Sequence, residues 1–267
     1  MPELPEVEVT RRRLERELVG KHFKEVAMRA TKLRIPVPPE LATILPGLML
    51  RGIERRGKYL LFDCGGGWLL VHLGMTGFLQ LLSGSPQPGK HDRIDFIFDG
   101  GWLLRFHDPR KFGIVTWFFG DPQQHPLLAE IGPEPLTAAF NGSYLFDASK
   151  GRRVAVKQLI MNSSVVAGVG NIYANEALFL AAIRPDRAAG TLTLRECSEL
   201  VTVICEVLEM SIGEGSTYRV AEETVAYHPQ IFKVYGRGGE PCRGCGEPLD
   251  EIRLGNRSTV FCHACQK

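Results

Sequence analysis

Near its C-terminus the chain reads CRGC, at Cys242 and Cys245, then sixteen further residues, then CHAC, at Cys262 and Cys265. Two C-x₂-C pairs at this separation match the four-thiolate zinc pattern, in which two knuckles bring four sulfurs into a tetrahedron around one ion. The competing reading, two disulfides, needs an oxidising compartment. Residues 1–20 carry too many charges for a secretory signal, and no apolar run is long enough to span a bilayer. The expected location is therefore the cytoplasm, and the expected metal is one structural Zn²⁺. Four thiolates leave no open position for a reacting water, so this zinc holds a fold and does no chemistry, and His263 is not needed as a ligand. A finger this small builds little core, and metal is what folds it.

The finger ends a chain of 267 residues with 44% hydrophobic content, enough for one large or two smaller packed domains besides. The formal net charge of +2 points to no polyanionic partner by itself, so any basic surface is local. The remaining cysteines, Cys64, Cys197 and Cys205, stand singly in apolar stretches as small buried thiols.

Residues 5–19 predict a helix, with Val7, Leu14 and Leu18 at helical spacing and Gly20 at the C′ position. Between 22 and 119 short apolar runs (KYLLFDC, WLLVHL, FLQLL, RIDFIF, WLLRF, IVTWFF) alternate with GGG, SGSPQPG and DGG, the pattern of antiparallel strands joined by hairpins. The expectation is a β-sandwich or barrel with the first helix alongside. Residues 120–137 read as a proline-rich linker and 143–213 return to helical periodicity. There, VVAGVGNIYANEALF sets Gly168 and Gly170 before a helix starting at Asn171. A helix N-terminus behind glycines is either an anion site or an ordinary helix-helix turn. Arg257, in GNRST, is expected at an exposed turn of the finger, either as a solvated tip or on a phosphate.

The other end reads MPELPEVE. Methionine before proline is commonly removed, which would leave Pro2 with a free secondary amine titrating near 8, roughly. Proline and acids in a first turn are also plain helix-start signals.

PELPEVE, RRGKYLL, HLGMTG, DPRKFG, GPEPL, GVGNIYANEALF, VYGR and the four-cysteine finger, in this order, resemble the formamidopyrimidine-DNA glycosylase (Fpg/MutM) family over essentially the whole chain. The resemblance implies an α+β multidomain protein: an N-terminal antiparallel β-sandwich with a flanking helix (1–131), a helix-two-turns-helix domain (132–225) and a zinc finger region (226–267). It implies a monomeric base-excision-repair enzyme acting on double-stranded DNA with oxidised purines or abasic sites, as a bifunctional glycosylase and AP lyase without an organic cofactor. By the same resemblance Pro2 is the nucleophile, Glu3 a proton-transfer group, and Lys58 and Arg257 serve β- and δ-elimination, with Glu6 and Lys157 in support. Met75, Arg110 and Phe112 match the wedge that fills the place of an extruded base. His72, His91, Arg110, Arg152 and Asn171 match DNA contacts that set register without reading sequence.

The endonuclease VIII-like branch, which prefers oxidised pyrimidines, shares Pro2, Glu3 and the finger but generally lacks that wedge. A damaged-DNA-binding protein silenced by a retained Met1 and a zinc-ribbon interaction module are readings from other classes. Residues 213–232 depart from the family loop that closes over 8-oxoguanine, and Asn162 stands where the family has aspartate, so the resemblance leaves lesion preference open.

Overall fold

The computed structural model describes residues 1–215 and 232–267 and divides into two compact units, one spanning Met1–Ala129 and one beginning at Glu130 and including the finger. The first unit opens with α1 (Leu4–Leu18). Pro5 sits in its first turn, and the Glu6 carboxylate accepts the Glu3 backbone N–H at 2.7 Å, which satisfies a donor that the helix start orphans. Val7, Leu14 and Leu18 are fully buried, and Gly20, at φ 85°, ends the helix. The expected helix is present, shifted by one residue.

Eight antiparallel strands follow in two four-stranded sheets. One runs β1-β6-β7-β5, from β1 (Phe23–Met28), β5 (Phe78–Ser83), β6 (Asp92–Phe98) and β7 (Trp102–His107). The other runs β2-β3-β4-β8, from β2 (Gly52–Arg56), β3 (Tyr59–Asp63), β4 (Trp68–His72) and β8 (Ile114–Phe118). Phe23, Phe96 and Leu104 of the first sheet share one apolar core with Leu60, Phe62 and Val71 of the second and with the inner face of α1. This is the β-sandwich with a flanking helix that the strand pattern predicts. A short helix, α2 (Leu41–Ile44), closes one edge of the core through the buried Leu41.

In the second unit, α3 (Gly142–Ser149), α4 (Val156–Ile160), α5 (Asn171–Leu180) and α6 (Leu194–Gly213) form the helical part. Thr193 and Glu196 cap α6 reciprocally: Thr193 N–H donates to the Glu196 carboxylate at 2.8 Å and Glu196 N–H to the Thr193 hydroxyl at 3.2 Å. α5 is buried nearly all round, from Tyr173 to Leu178, because α6 packs on one side and the finger hairpin on another. That hairpin joins β9 (Asp250–Leu254) to β10 (Arg257–Phe261) through Gly255 and Asn256, both at positive φ. Arg257 is therefore the exposed first residue of β10, directly after the turn, and the turn itself is Gly255–Asn256. Of the three single cysteines, Cys64 and Cys197 are buried as expected, and burial pushes the Cys64 thiol up to about 12. Cys205 is only half-buried, its thiol donating to the Pro135 carbonyl. Most of the divergent 213–232 stretch, residues 216–231, lies outside the described residues.

Candidate functional site

Pro2 stands just before Glu3, the N-cap of α1, and is buried, with Met1 exposed in front of it. Glu3 and Glu6 are 2% and 1% exposed, so the turn that follows the proline carries two buried acids. The hydrogen bond from Glu3 N–H to Glu6 fixes the turn that carries all three residues.

Two residues beyond Glu6, a third buried acid ties α1 to the sandwich. The Glu8 carboxylate accepts from Arg11 (3.0 Å), Arg12 (2.8 Å) and Arg55 of β2 (3.0 Å). Burial alone would raise its pKa, but hydrogen bonds from the three guanidinium groups prevail and hold it at about 2. Arg55 also donates to the Gly57 carbonyl at 3.0 Å. Gly57 and Lys58 are the two central residues of the β2–β3 hairpin, whose strands close on the Arg56–Tyr59 pair. Gly57, at φ 55°, supplies the left-handed first position of the turn, and Lys58 follows it half-buried. The chain Glu8–Arg55–Gly57 thus links the helix behind Pro2 to the turn bearing Lys58. Sequence reasoning missed Glu8 and Arg55, since nothing local marks a carboxylate whose partner lies 47 residues away.

Met75, Arg110 and Phe112 lie on two loops that meet. Gly74 and Met75 turn the chain out of β4, and a Cβ on Gly74 would stand 2.6 Å from the backbone of both Phe112 and Gly113. Only glycine allows that approach, and Gly74 also adopts φ 70°. The second loop is organised by Asp108, which is fully buried: its two carboxylate oxygens accept the Lys111 N–H at 3.1 Å and the Gly113 N–H at 2.8 Å. Between those anchors Arg110 and Phe112 are exposed, the guanidinium lying 4.8 Å over the phenyl ring. Met75, next to Gly74, is half-buried. Asp108 also went unrecognised, although an aspartate before proline in a glycine-closed loop is a turn signal that could have exposed it.

His72 ends β4, and His91 stands just before β6. Gly74 N–H donates to His72 Nδ1 at 3.0 Å, and Arg93 Nη2 lies 3.3 Å from His91 Nδ1. Burial first, then the positive charges of Lys58 and Arg34, push His72 down to about 4.

In the second unit α4 ends at Ile160, and Gly168, at φ 79°, turns the chain toward α5, which Gly170 caps. The Asn171 side-chain oxygen is buried at the start of α5, with no hydrogen-bond partner among the described residues. Arg152 is exposed in the loop between α3 and α4, and Asn162, at the turn after α4, accepts from the Ser164 N–H and hydroxyl. Lys157 is 1% exposed, and its ammonium donates to the Ser258 carbonyl and the Thr259 hydroxyl, each at 2.8 Å. It braces the strand that begins with Arg257. Two further residues of α5 hold the finger: Asn175 accepts the Val260 N–H, and the Glu176 carboxylate accepts three successive N–H groups, from Lys233, Val234 and Tyr235, at 2.7–2.9 Å. These too were invisible in the sequence, because NEAL reads there only as helix.

The sulfurs of Cys242, Cys245, Cys262 and Cys265 all lie within 4.8 Å of one another, with Cys242–Cys265 at 3.9 Å and Cys245–Cys262 at 3.5 Å. A tetrahedron with Zn–S bonds of about 2.3 Å has edges of about 3.8 Å. Gly244 N–H donates to Cys242 Sγ at 3.3 Å, as suits a thiolate. The four residues fit one structural zinc ion.

Comparison with known proteins agrees along the whole chain. Residues 1–115 match the formamidopyrimidine-DNA glycosylase N-terminal domain, 131–222 its H2TH domain and 239–267 the zinc finger found in FPG and IleRS. A formamidopyrimidine-DNA glycosylase of Geobacter metallireducens is 65% identical, over 100% of both chains. Two solved structures of the Lactococcus lactis glycosylase superpose closely. One, a complex with DNA containing N7-benzyl-Fapy-dG, has a TM-score of 0.92 at 33% identity and covers 100% of both chains. The other, a complex with abasic-site DNA, has a TM-score of 0.91 at 32% identity and covers 99% of both.

Proposed function

The chain belongs to the formamidopyrimidine-DNA glycosylase family, and from that membership we propose how its own residues carry out the family's reaction. The protein is a base-excision-repair enzyme for oxidised purines in double-stranded DNA, a glycosylase that is also an AP lyase, built around one structural zinc. It acts as a monomer, and its DNA substrate makes the cytoplasm its site of action. Among the described residues no helix is long and apolar enough to cross a membrane.

In our reading, removal of the exposed Met1 turns the Pro2 nitrogen from an amide into a secondary amine, a useful fraction of it neutral and nucleophilic near pH 8, roughly. The amine attacks C1′ of the damaged nucleotide, the glycosidic bond breaks, and the base leaves with a proton delivered by its neighbourhood. A secondary amine gives an iminium with no N–H to lose, so the cation persists as an electron sink. Loss of a proton from C2′ then expels the 3′ phosphate, and a second elimination expels the 5′ phosphate. Glu3 is the proton-transfer group beside the amine, and Glu6 fixes its turn. Lys58 serves β-elimination, and Arg257 serves δ-elimination by holding a phosphate. Met75, Arg110 and Phe112 fill and probe the place of the extruded nucleotide, Arg110 pairing with the orphaned base. His72, His91, Arg152 and Asn171 hold the backbone. Lys157 supports Arg257 indirectly, through β10.

One observation carries this reading: the proline directly behind Met1 shares its buried turn with two carboxyl groups, Glu3 and Glu6. The test is excision on duplexes bearing a formamidopyrimidine, 8-oxoguanine, 5-hydroxycytosine or a plain abasic site. Strong cleavage of the formamidopyrimidine and abasic duplexes, with both phosphates eliminated, is expected. Preference for 5-hydroxycytosine would move the protein to the pyrimidine-specific branch.

A further inference from the structure

We infer that His72 and His91 meet the DNA backbone as uncharged Nε2–H donors, each ring held in that tautomer by a donor fixed on its Nδ1. The inference rests on the DNA-binding reading above and adds the chemical state of two of its contacts. For His72 the donor is the Gly74 backbone N–H, at 3.0 Å. For His91 it is the Arg93 guanidinium, at 3.3 Å. Neither group can accept: an amide N–H and a guanidinium only donate. The Nδ1 lone pair is therefore engaged in both rings, and the single proton of a neutral imidazole is left on Nε2. Two histidines, one ending β4 and one just before β6, served by unrelated donors, arrive at the same state.

The surroundings agree. His72 faces Lys58 from the β2–β3 turn, Arg34 from the segment after β1, and the Tyr59 ring of β3 at 4.7 Å. The charged groups among these are cations, and they oppose a second proton on the ring. His91 faces Arg93 of β6 and, edge-on at 5.8 Å, the His107 ring of β7. The carboxylate of the next residue, Asp92, is already committed to His107 at 2.7 Å and to Gly89 N–H at 2.6 Å, and that of Asp108, whose N–H donates to the His91 carbonyl, is committed to the Lys111 and Gly113 N–H groups. Arg93 is in turn held by the Asp108 carbonyl, 2.8 Å from its Nε, so the donor on His91 belongs to the same frame as the wedge loop. Arg93 and Gly74 are positioning residues, acting on DNA only through the histidines.

A neutral donor releases no counterion, whereas each cation on a phosphate adds about 0.9 to the slope of log K against log salt. The test uses the full-length, zinc-loaded protein. Histidine side-chain ¹⁵N NMR at pH 8, without DNA, should show both rings protonated at Nε2 and bare at Nδ1, and His72 should keep that state at pH 6. An Nδ1–H ring, or a doubly protonated His72 at pH 6, would overturn the inference. Arg93→Met should release His91 into a mixture of tautomers and leave His72 as it was; an unchanged His91 would remove Arg93 from its assigned role. On duplex DNA, His72→Gln should weaken binding yet keep the wild-type salt slope at pH 6.0, and a slope reduced by about 0.9 would contradict an uncharged contact. Failure of the DNA-binding reading would look different: the wild type would not bind duplex at all, with its ring signals intact.

Discussion

The sandwich and the finger keep their functional residues in place by opposite means. The sandwich core joins 26 buried residues, and its polar groups are anchored by buried carboxylates: Glu6 at the N-terminal turn, Glu8 between α1 and β2, and Asp108 under the 109–112 loop. The finger core joins five buried residues, of which Cys242 and Cys262 are themselves zinc ligands. What the finger lacks in core it draws from the metal and from hydrogen bonds to α4 and α5 made by Lys157, Asn175 and Glu176. A residue in the sandwich is thus lost by removing a buried carboxylate, and a residue in the finger by removing an ion.

All three tryptophans, Trp68, Trp102 and Trp117, lie in the sandwich, so their fluorescence reports on that region alone and zinc content reports on the other. The largest expected effect is on the finger. Cys245→Ser or chelation removes a metal whose binding is worth about 10–16 kcal/mol in small fingers. Zinc is lost and duplex affinity falls by more than about tenfold, while the tryptophan-monitored unfolding midpoint stays within a few degrees. A sandwich that unfolded together with the zinc would break the comparison.

Next comes acid. The Glu8 carboxyl is held at about 2 in the folded protein against an ordinary 4.5. A depressed carboxyl pKa gives stability that is fully present above the unfolded value and is lost as pH falls from about 4.5 toward 2. At about 1.4 kcal/mol per pKa unit the loss is about 3 kcal/mol. Glu8→Gln should lower sandwich stability at pH 7 by about 3 kcal/mol and flatten this pH dependence in tryptophan-monitored urea titrations. Equal pH dependence in wild type and variant would remove the buried network from the account.

Asp108→Ala should have a smaller and more local effect. It orphans two backbone N–H groups, at about 1–3 kcal/mol together with the lost bonds, and lets the 109–112 loop drift. Single-turnover excision of a formamidopyrimidine is expected to drop about tenfold, with abasic-site cleavage, which needs no base extruded, far less affected. Equal losses on both substrates would deny the loop its part in extrusion. The smallest change is expected from Lys157→Met, which fills the same space but leaves the Ser258 carbonyl and Thr259 hydroxyl unanswered, at about 1–2 kcal/mol. Zinc should stay bound while hydrogen exchange quickens in β10.

What the sequence disclosed follows from how far each signal reaches. α1, the six apolar strand runs, the start of α5 at Asn171 and the zinc ligands all rest on spacing within about twenty residues, and each is found where its pattern lies. β1 and β2, in FKEVAM and GIERR, are too mixed in polarity to stand out alone; they become strands by pairing with β6 and β3. Glu8, Asp108 and Glu176 look like surface acids in sequence and are buried in the fold, because what satisfies them is an arginine or a backbone N–H that only folding brings near. Lys157 was legible by resemblance alone, and its brace to β10 spans about a hundred residues of sequence.

The central claim is that a processed N-terminal amine does the chemistry inside a rigid, carboxylate-held turn. Borohydride reduction of the protein on abasic-site duplex, followed by intact mass and peptide mapping, tests it directly. The account predicts one covalent adduct per chain, on the N-terminal peptide, attached at Pro2 in molecules that have lost Met1. An adduct mapped to Lys58, or trapping by chains that still carry Met1, would contradict it.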